Sequence, residues 1–464
     1  MVDFTKIFAF IPEVKKPDEK KLAFNTKLKW TLLILVAFFI LANIPLFGLS
    51  NNALDRFKYL AIILGTDFGS IISLGIGPIV MASIILQLLT GAGIININTS
   101  TTEGKKFFQG IQKLLVFFFI IFEAIVYVLM KGLEATPGFA GLVIFQLILG
   151  GIAIYYMNEL CEKWGFGSGV SIFIAAGASW HLFTSAFQFV NAQGRNCLID
   201  FNGTACSGKV LVLIQSIINK YPVEFASALG AIIATVVIFL LVVWAQSLKV
   251  EIPLSFGRIR GYAIKWPLQF FYASVIPVIL TAALVANIQL FGGLLETWAG
   301  HPTFLGHFQN GQAVSGFAFW LGHTNLLELI IRGGFLPRYL LQGLTHIIFY
   351  AGLATLFSVF WVKTSGMGAK EQAQKISASG LQMAGFRQDV RVLESVLDRY
   401  IMPLTVMGGA AIGLLAATTD LLGALSSGTA ILLVIMIMYQ FYQKIAEQHM
   451  TDMNPAMRKF MSSN

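Results

Sequence analysis

Residues 74–89 read LGIGPIVMASIILQLL. The stretch is apolar enough for a membrane span, yet glycines flank Ile76 and Pro78 follows directly, so it predicts a break in the helix. Non-helical backbone at membrane depth is tolerated only where it is buried in protein or lines a water-filled cavity. A cavity narrowed by isoleucine and valine closes by excluding water. The stretch therefore predicts a pore with an apolar constriction, without indicating what passes through it.

The rest of the chain has the composition of a membrane protein. Of its 464 residues, 56% are hydrophobic and 12% are charged, against roughly 45–50% and 25% in soluble domains. Soluble enzymes, disordered scaffolds and small disulfide-rich folds are thereby excluded. The runs are continuously apolar, which also excludes a β-barrel, and we expect Pro277 and Pro403 to break two of them. Ten runs are about long enough to cross a bilayer as helices, namely 30–49, 70–91, 108–130, 139–160, 168–190, 223–247, 268–293, 340–362, 402–422 and 427–443.

Ten spans predict an all-α membrane protein built from two halves, 30–190 and 223–443, joined by an outer loop at 191–222. Each half holds five spans, so the second half enters the membrane from the opposite side and the halves are inverted. Lys and Arg concentrate in alternate connections and at both chain ends, in an amphipathic segment 1–29 and a tail 444–464. By the positive-inside rule both termini are expected in the cytosol.

Residues 54–68 interrupt the alternation of spans and loops. The stretch is too short to span and carries charges, yet its apolar residues fall roughly on one helical stripe. We interpret it as a half-inserted, re-entrant helix; an amphipathic helix on the outer surface is the alternative. The apolar side chains of the stripe are Leu54, Phe57, Leu60, Ile63 and Leu64.

Two connections, 248–267 and 363–401, are long and basic. The first contains Arg258 and Arg260 among glycines and prolines, and the second contains Arg387. Basic, turn-rich loops of this kind can dock a large anionic partner such as RNA through its phosphates. Ordinary positive charge beside lipid headgroups explains them equally well.

The sequence offers no set of catalytic residues. Its six histidines lack the His-Glu-x-x-His spacing, there is no phosphate-binding loop, and we expect no cofactor and no metal. Polar residues within the spans are few, and the clearest are Gln87, Glu123 and Asn287. One buried acid favours a hydrogen-bonded cluster joining helices, while a secondary transporter of small solutes remains the second hypothesis.

Two features of the outer loop 191–222 stay open. Cys197 and Cys206 are close enough in sequence to pair if the outside is oxidising, and two free cysteines fit equally well. Asn202 opens a glycosylation-type triplet, a pattern that is common by chance.

Segments along essentially the whole chain resemble the SecY family, the α-subunit of Sec-type translocons, in its archaeal-like form. Their combination in this order is far more specific than any one of them. The matching segments are IPEV at 11–14, LKWT at 28–31, LGIGPIVMASIILQLL at 74–89, FQGIQKLL at 108–115, GFGSGVSIFIAAG at 165–177, VEIPLSFGRIRG at 250–261, IPVILTAALVANIQL at 276–290, GFR at 385–387 and PLTVMGG at 403–409.

The resemblance implies a protein-conducting channel without enzymatic activity, in which 54–68 is the plug under the pore. Gln87, Glu123 and Asn287 would form the polar cluster of a lateral gate between spans two and three and spans seven and eight. The gate would release apolar segments of a nascent chain into lipid. The implied pore ring is Ile76, Val80, Val170, Ile174, Ile279 and Leu433.

The resemblance also implies partners. Arg258, Arg260 and Arg387 would face the ribosome, and signal sequences and nascent polypeptides would enter the pore. A small SecE/gamma-type subunit and a beta-type subunit would accompany the chain in the cell membrane.

Overall fold

The computed structural model describes residues 12–18, 22–95, 97, 101–191, 196–197, 206–256, 263–273, 275–309, 311–378, 381–383 and 389–453. Within these ranges, nine helices of 18 or more residues are apolar enough to cross a membrane. A tenth apolar helix, Gly77–Gly91, is shorter. The helices are α1 Phe24–Ala42, α2 Lys58–Leu64, α3 Gly77–Gly91, α4 Thr102–Leu129, α5 Ala140–Trp164, α6 Gly169–Phe187, α7 Lys209–Asn219, α8 Pro222–Ser247, α9 Ile276–Ala299, α10 Phe317–Leu321, α11 Leu326–Ile331, α12 Pro337–Thr364, α13 Ala369–Ala378, α14 Val390–Leu421 and α15 Gly428–Met453.

Short strands lie between these helices, so the chain is not purely helical. The strands are β1 Leu49–Asn52, β2 Leu133–Ala135, β3 Lys249–Phe256, β4 Ala263–Gln269, β5 His307–Gln309, β6 Gln312–Ser315 and β7 Leu381–Met383. They form two antiparallel pairs, β1–β2 and β5–β6, and a three-stranded antiparallel sheet in the order β4-β3-β7.

The break predicted within 74–89 lies at the start of α3. Gly75 has φ +53°, a left-handed conformation that glycine adopts without steric cost. The helix then begins at Gly77 with Pro78 in its first turn, where the missing N–H of proline leaves no bond unmade. The predicted span 70–91 is therefore a run of turns followed by a 15-residue helix.

Of the two other breaks predicted at prolines, the one at Pro277 is confirmed, because the run 268–293 changes from strand and turns to helix at Ile276. The one at Pro403 was wrong. Pro277 lies in the first turn of α9, where proline is favoured. Pro403 lies inside α14, which continues through it, since neighbouring helices in a packed membrane bundle compensate for the lost backbone bond.

Several predicted spans have the wrong bounds. The helix of the run 30–49 is Phe24–Ala42, and the helix of the run 108–130 begins at Thr102. Two further runs differ more. The run 268–293 starts as β4, and its helix begins only at Ile276. The run 402–422 starts too late, because α14 begins at Val390, where the side chain of Asp389 accepts a hydrogen bond from Arg391 N at 2.9 Å. Apolar composition indicates which residues of a span face lipid. It does not indicate strand pairing or the position of a helix cap outside the lipid-facing part.

Nine of the described helices are long enough to span, and with α3 they form two sets of five. The first set holds α1 and α3 to α6. The second set holds α8, α9, α12, α14 and α15. Since each helix reverses the chain, the start of α1, the described end of α15 and the β4-β3-β7 sheet lie at one end of the bundle, which we call the terminal end; Lys27 Nζ accordingly donates to Gln448 Oε1 at 3.1 Å. The connections after α1, α4, α6, α9 and α14 lie at the other, the plug end. The sets meet at two seams, where α3 contacts α9 and α12 and where α6 contacts α15.

Apolar side chains lie both in the centre of the bundle and on its outer surface, as a protein in lipid requires. One continuous apolar cluster runs through the centre of the bundle. Outward-facing apolar side chains such as Trp244 and Ile348 are more than 60% exposed, as expected of residues that contact acyl chains.

A second, smaller apolar core lies at the terminal end. There Ile252 of β3 and Leu268 of β4 pack with Leu397 of α14. Tyr272 adds a hydrogen bond from its hydroxyl to Met367 O at 2.7 Å, and burial raises the pKa of this tyrosine to about 12. The connections 248–267 and 363–401 are thus joined into one folded unit rather than two separate loops.

The described part of the N-terminal segment, residues 12–18, lies across α4 and α5. Pro12 O accepts hydrogen bonds from Lys113 Nζ and from the Tyr156 hydroxyl, and Trp164 Nε1 donates to Lys15 O. Glu13 pairs with Lys163 at 2.9 Å, and the hydrogen bond from that lysine lowers the pKa of Glu13. Most of this segment is exposed, so these contacts contribute little to stability.

Candidate functional site

The aliphatic residues of the implied pore ring converge in the central cluster from four different helices. Ile76 precedes α3 and Val80 lies in it, Ile174 lies in α6, Ile279 in α9 and Leu433 in α15, and all are at most 5% exposed. The sixth member, Val170 at the start of α6, is half-buried and packs against the same cluster. All six predicted residues therefore belong to or pack against one apolar cluster, and their role as a pore ring stays a prediction.

Residues 54–68 enter the bundle. A 3-10 turn, Ala53–Phe57, leads into α2, which contacts α6 on one side and α9 on the other. Every described side chain from Leu60 to Leu64 is at most 8% exposed. The surface-helix alternative was therefore wrong, because a helix on the membrane surface buries only one face. The five predicted side chains are all buried, namely Leu54, Phe57, Leu60, Ile63 and Leu64.

The carboxyl end of α2 is hydrogen-bonded to the ring. Ile76 N donates to Leu64 O at 2.9 Å. A Cβ at Gly75 would lie 2.4 Å from Leu64 O, and one at Gly65 would lie 3.7 Å from Ile76 Cγ2. The two glycines therefore allow α2 to approach the ring at backbone contact distance.

The amino end of α2 is fixed by a residue that the sequence analysis did not assign. Arg56 Nη2 donates to Gly293 O at 3.1 Å and to Thr297 Oγ1 at 2.7 Å, both in α9. Phe57 packs against Gly293, where a Cβ would lie 2.3 Å from the phenyl ring, and against Phe308 at 5.7 Å between ring centroids. These partners lie more than 230 residues away in sequence, so only a three-dimensional structure brings them together.

The seam at α3, α9 and α12 is closed. At its terminal end the helices touch so closely that a Cβ at Gly91 of α3 would lie 2.5 Å from the ring of Phe360 in α12. Three polar residues lie beside this seam, Gln87 in α3, Glu123 in α4 and Asn287 in α9, and each is at most 4% exposed.

These three polar side chains are buried without hydrogen-bonding one another. The carbonyl oxygens of Gln87 and Asn287 and both carboxylate oxygens of Glu123 lack hydrogen-bond partners among the described residues. Asn287 Nδ2 donates instead to Ala283 O in its own helix at 2.9 Å, and Glu123 Oε2 lies against Gly77, 3.0 Å from where a Cβ would stand. The hydrogen-bonded cluster predicted from sequence is therefore not formed in this conformation, and a role in gating stays a prediction.

A cavity of about 580 Å³ opens beside α2. It is lined by Ile62 and Asp67 from this segment, Phe38 from α1 and Trp180 from α6. Space of this size next to a short buried helix leaves room for that helix to shift without first separating the bundle.

The three arginines that were predicted to face an anionic partner all lie outside the described residues. They are Arg258, Arg260 and Arg387. The strands before them are described, and both belong to the sheet at the terminal end. Exposed charge also lies on this sheet, where Lys265 pairs with Glu251 at 2.7 Å.

At the plug end, Cys197 and Cys206 form a disulfide, which decides between the two alternatives left open for this pair. Both cysteines are buried, and α7 follows directly. Asn202 lies between them, outside the described residues.

Comparison with known proteins agrees with this geometry. The SecY family pattern matches residues 70–442, and the pattern described as the plug domain of Sec61p matches residues 36–69. This chain belongs to the SecY family. The prediction of the family from sequence segments is thus confirmed, and so is that of an all-α bundle with a plug.

Curated relatives match over nearly their full length. The protein translocase subunit SecY of Methanothermobacter thermautotrophicus is 41% identical, with 99% of this chain and 98% of the relative covered. The SecY subunit of Methanocaldococcus jannaschii is 38% identical, with 97% and 98% covered. The predicted assignment as a Sec-type translocase subunit is therefore confirmed, and the transporter hypothesis is not supported.

Solved structures match the whole bundle. One described as the structure of a protein conducting channel superposes with a TM-score of 0.82 at 36% identity, covering 96% of this chain and 97% of the other. Sec61 in the canine ribosome-channel complex from the endoplasmic reticulum gives 0.78 at 35% identity, with the same coverage. The fold of a SecY-type channel is thereby shown.

Proposed function

We propose that this chain is the pore-forming subunit of a Sec translocase and that the structure represents its closed state. The six aliphatic ring residues form the constriction, and α2 blocks the path on the plug side of that ring. A ring of branched apolar side chains excludes water when empty and yields to an extended polypeptide. Conduction of a polypeptide by this mechanism needs no catalytic group in the chain.

The seam between α3 with α4 and α9 with α12 is the proposed lateral gate. Helix α3 is the shortest of the ten and begins at a turn, so it can tilt with less disruption than a continuous span. Opening this seam would expose the central cluster to lipid, and an apolar segment of a nascent chain would then partition into the bilayer. Polar segments would pass through the ring instead.

The terminal end is the proposed docking side for the ribosome. Its sheet unites the two basic connections, and a positive surface would bind ribosomal RNA through phosphates with little sequence dependence. The similar Sec61 chain is part of a ribosome–channel complex, which supports the proposal. Both termini would then be cytosolic, in agreement with the positive-inside rule.

Small accessory subunits of the SecE/gamma and beta types are part of this proposal by resemblance. Each would contribute membrane helices that contact the outer, lipid-exposed surface of the bundle.

One observation supports the channel function most strongly, namely the backbone hydrogen bond from Ile76 of the ring to Leu64 of the plug. It supports a plug that rests directly against the proposed constriction. A photoreactive amino acid at position 80 therefore tests the proposal. A stalled nascent secretory chain on the ribosome should crosslink to this position.

The matched control carries the same photoreactive group at position 244, which faces lipid at 64% exposure. A polar secretory chain should not crosslink there. If the ribosome is bound but the nascent chain fails to crosslink at position 80, the proposed path through the ring is wrong.

A further inference from the structure

A cluster of three ionisable side chains lies at the plug end, away from the ring and the gate. His323 is in the connection between α10 and α11, His346 is in α12, and Asp420 is in the last turn of α14. One potential ligand atom from each lies within 4.8 Å of the others. The three residues are far apart in sequence and share no metal-binding spacing, so sequence analysis did not find them.

The two inner members are buried. His346 and Asp420 have side chains 1% and 2% exposed, while the side chain of His323 is 26% exposed. His346 Nε2 lies 3.6 Å from Asp420 Oδ2, beyond hydrogen-bond length, and has no hydrogen-bond partner among the described residues. A buried nitrogen without a partner costs free energy unless something binds it.

The other nitrogen of His346 determines what Nε2 offers. Nδ1 lies 2.7 Å from Leu321 O, and a carbonyl oxygen can only accept, so Nδ1 carries the hydrogen. In the neutral ring, Nε2 then presents a lone pair toward Asp420. A backbone carbonyl that fixes the tautomer in this way is the usual support of a metal-binding histidine.

Asp420 is oriented by a second residue. Its Oδ1 accepts from Thr429 N at 2.7 Å, and its Oδ2 accepts from the Thr429 hydroxyl. These bonds fix the plane of the carboxylate and leave Oδ2 facing both histidines, with His323 Nδ1 at 4.0 Å. The three side chains therefore converge on one point from three different segments.

We propose that His323, His346 and Asp420 form a binding site for a divalent transition-metal ion, best suited to Zn²⁺. Two imidazoles and one carboxylate match the ligand preference of zinc, with bonds of about 2.0–2.2 Å. Ca²⁺ and Mg²⁺ prefer sites built entirely from oxygen. The ligand atoms need to close by about 1.5 Å or less to reach a tetrahedral arrangement with one further position for water.

The metal would join α12, α14 and the connection before α11. These elements belong to the C-terminal half and flank α15, so the ion would stiffen that half at the plug end. It would play no part in the transport path itself.

Metal analysis of the full-length chain tests this proposal directly. The chain is purified with an affinity tag free of histidine, stripped with a chelator, dialysed against Zn²⁺ and analysed for bound metal by mass spectrometry. We expect about one tightly held Zn²⁺ per chain, retained in excess Mg²⁺. Substitution with Co²⁺ should give the visible absorption of a tetrahedral nitrogen–oxygen site.

Variants separate this site from accidental binding. His346→Gln and His323→Gln should each weaken Zn²⁺ binding by at least about tenfold, on the scale of lost metal-site contacts. Because His323 is partly exposed, its variant is expected to keep the wild-type melting temperature without metal. The matched control is His301→Gln, an exposed histidine at the same end, which should bind Zn²⁺ like the wild type. Absence of tight Zn²⁺ binding, or equal binding by His323→Gln and the wild type, overturns the proposal.

Discussion

Two buried acids in this chain have opposite surroundings. Both oxygens of Asp420 accept hydrogen bonds, and two histidines lie within 4.0 Å. Neither oxygen of Glu123 has a hydrogen-bond partner among the described residues, although the residue is fully buried. Asp420 lies at an edge of the bundle away from the proposed path, while Glu123 lies beside the ring and the gate.

The difference indicates which parts of the molecule move. A satisfied polar network keeps helices in one arrangement, since any shift breaks several bonds. Unsatisfied polar groups destabilise the arrangement that leaves them unpaired. In the proposed mechanism, the closed gate would thus be held by apolar packing and opposed by its own polar side chains, which would gain hydrogen bonds when the seam opens to water or to a passing chain.

The largest effect is expected from Asp420→Ala. The substitution leaves the backbone N–H and the hydroxyl of Thr429 without their acceptor. Because hydrogen bonds to a charged group are worth about 1.5–3 kcal/mol each, the free energy of unfolding should fall by about 3–6 kcal/mol. Denaturant unfolding in detergent with a chelator present measures this without any metal contribution. A loss below about 1 kcal/mol would mean that this network is no stronger than the gate cluster.

Gly75→Ala should act on the proposed moving region instead. The new Cβ would be 2.4 Å from Leu64 O in a backbone conformation with φ +53°, so α2 has to leave the ring. We expect a cost of about 1–3 kcal/mol from backbone strain and a clear increase in ion leakage through the chain in vesicles.

Gly93→Ala is the matched control for Gly75→Ala. Gly93 also has a positive φ, +74°, but nothing lies within 4 Å of its Cβ position. It should show the strain without the leakage. Equal leakage from both variants would show that the contact between Gly75 and Leu64 does not hold the plug.

Arg56→Ala should have a somewhat smaller effect. It removes two hydrogen bonds to α9 at the amino end of the plug. Because this contact is only partly buried, we expect the two bonds together to contribute about 1–2 kcal/mol. Vesicle leakage should rise while the unfolding midpoint falls slightly. Arg338→Ala is the control, because this exposed arginine also bonds a carbonyl, Val314 O at 2.8 Å, and lies over a phenyl ring; it should leave leakage unchanged.

The smallest change in stability is expected from Glu123→Gln. Removing a carboxyl that has no partner should leave the free energy of unfolding within about 1 kcal/mol of the wild type or raise it. Gating should nevertheless change. The measurement is the export of substrates with weakened signal sequences, compared between the variant and the wild type. Destabilisation as large as that of Asp420→Ala would contradict the distinction between the two acids.

The sequence was sufficient for the number of spans and for an apolar break in one of them, but not for the connections. The break was predicted because Gly75 to Val80 combine helix breaking with branched apolar side chains, while the other members of the proposed ring were implied only by the family resemblance. Residues 268 and 269 were assigned to the start of a span because the run that they open is apolar, but they end β4 and pair with β3, and strand pairing is not visible in hydropathy. The contacts of Arg56 and of His346 depend on residues far away in the chain, which no local pattern encodes.

Helix α9 links three of the features described above. It carries Ile279 of the ring, Asn287 beside the seam, and the two groups that hold Arg56, Gly293 O and Thr297 Oγ1. A rigid helix cannot move at one of these points alone, so a signal segment that displaced α9 at the proposed gate would also pull on the plug and widen the proposed ring. Recognition of a substrate and release of the seal would then be a single mechanical step. For a chain without a signal segment, the gate, the plug and the ring would all stay closed.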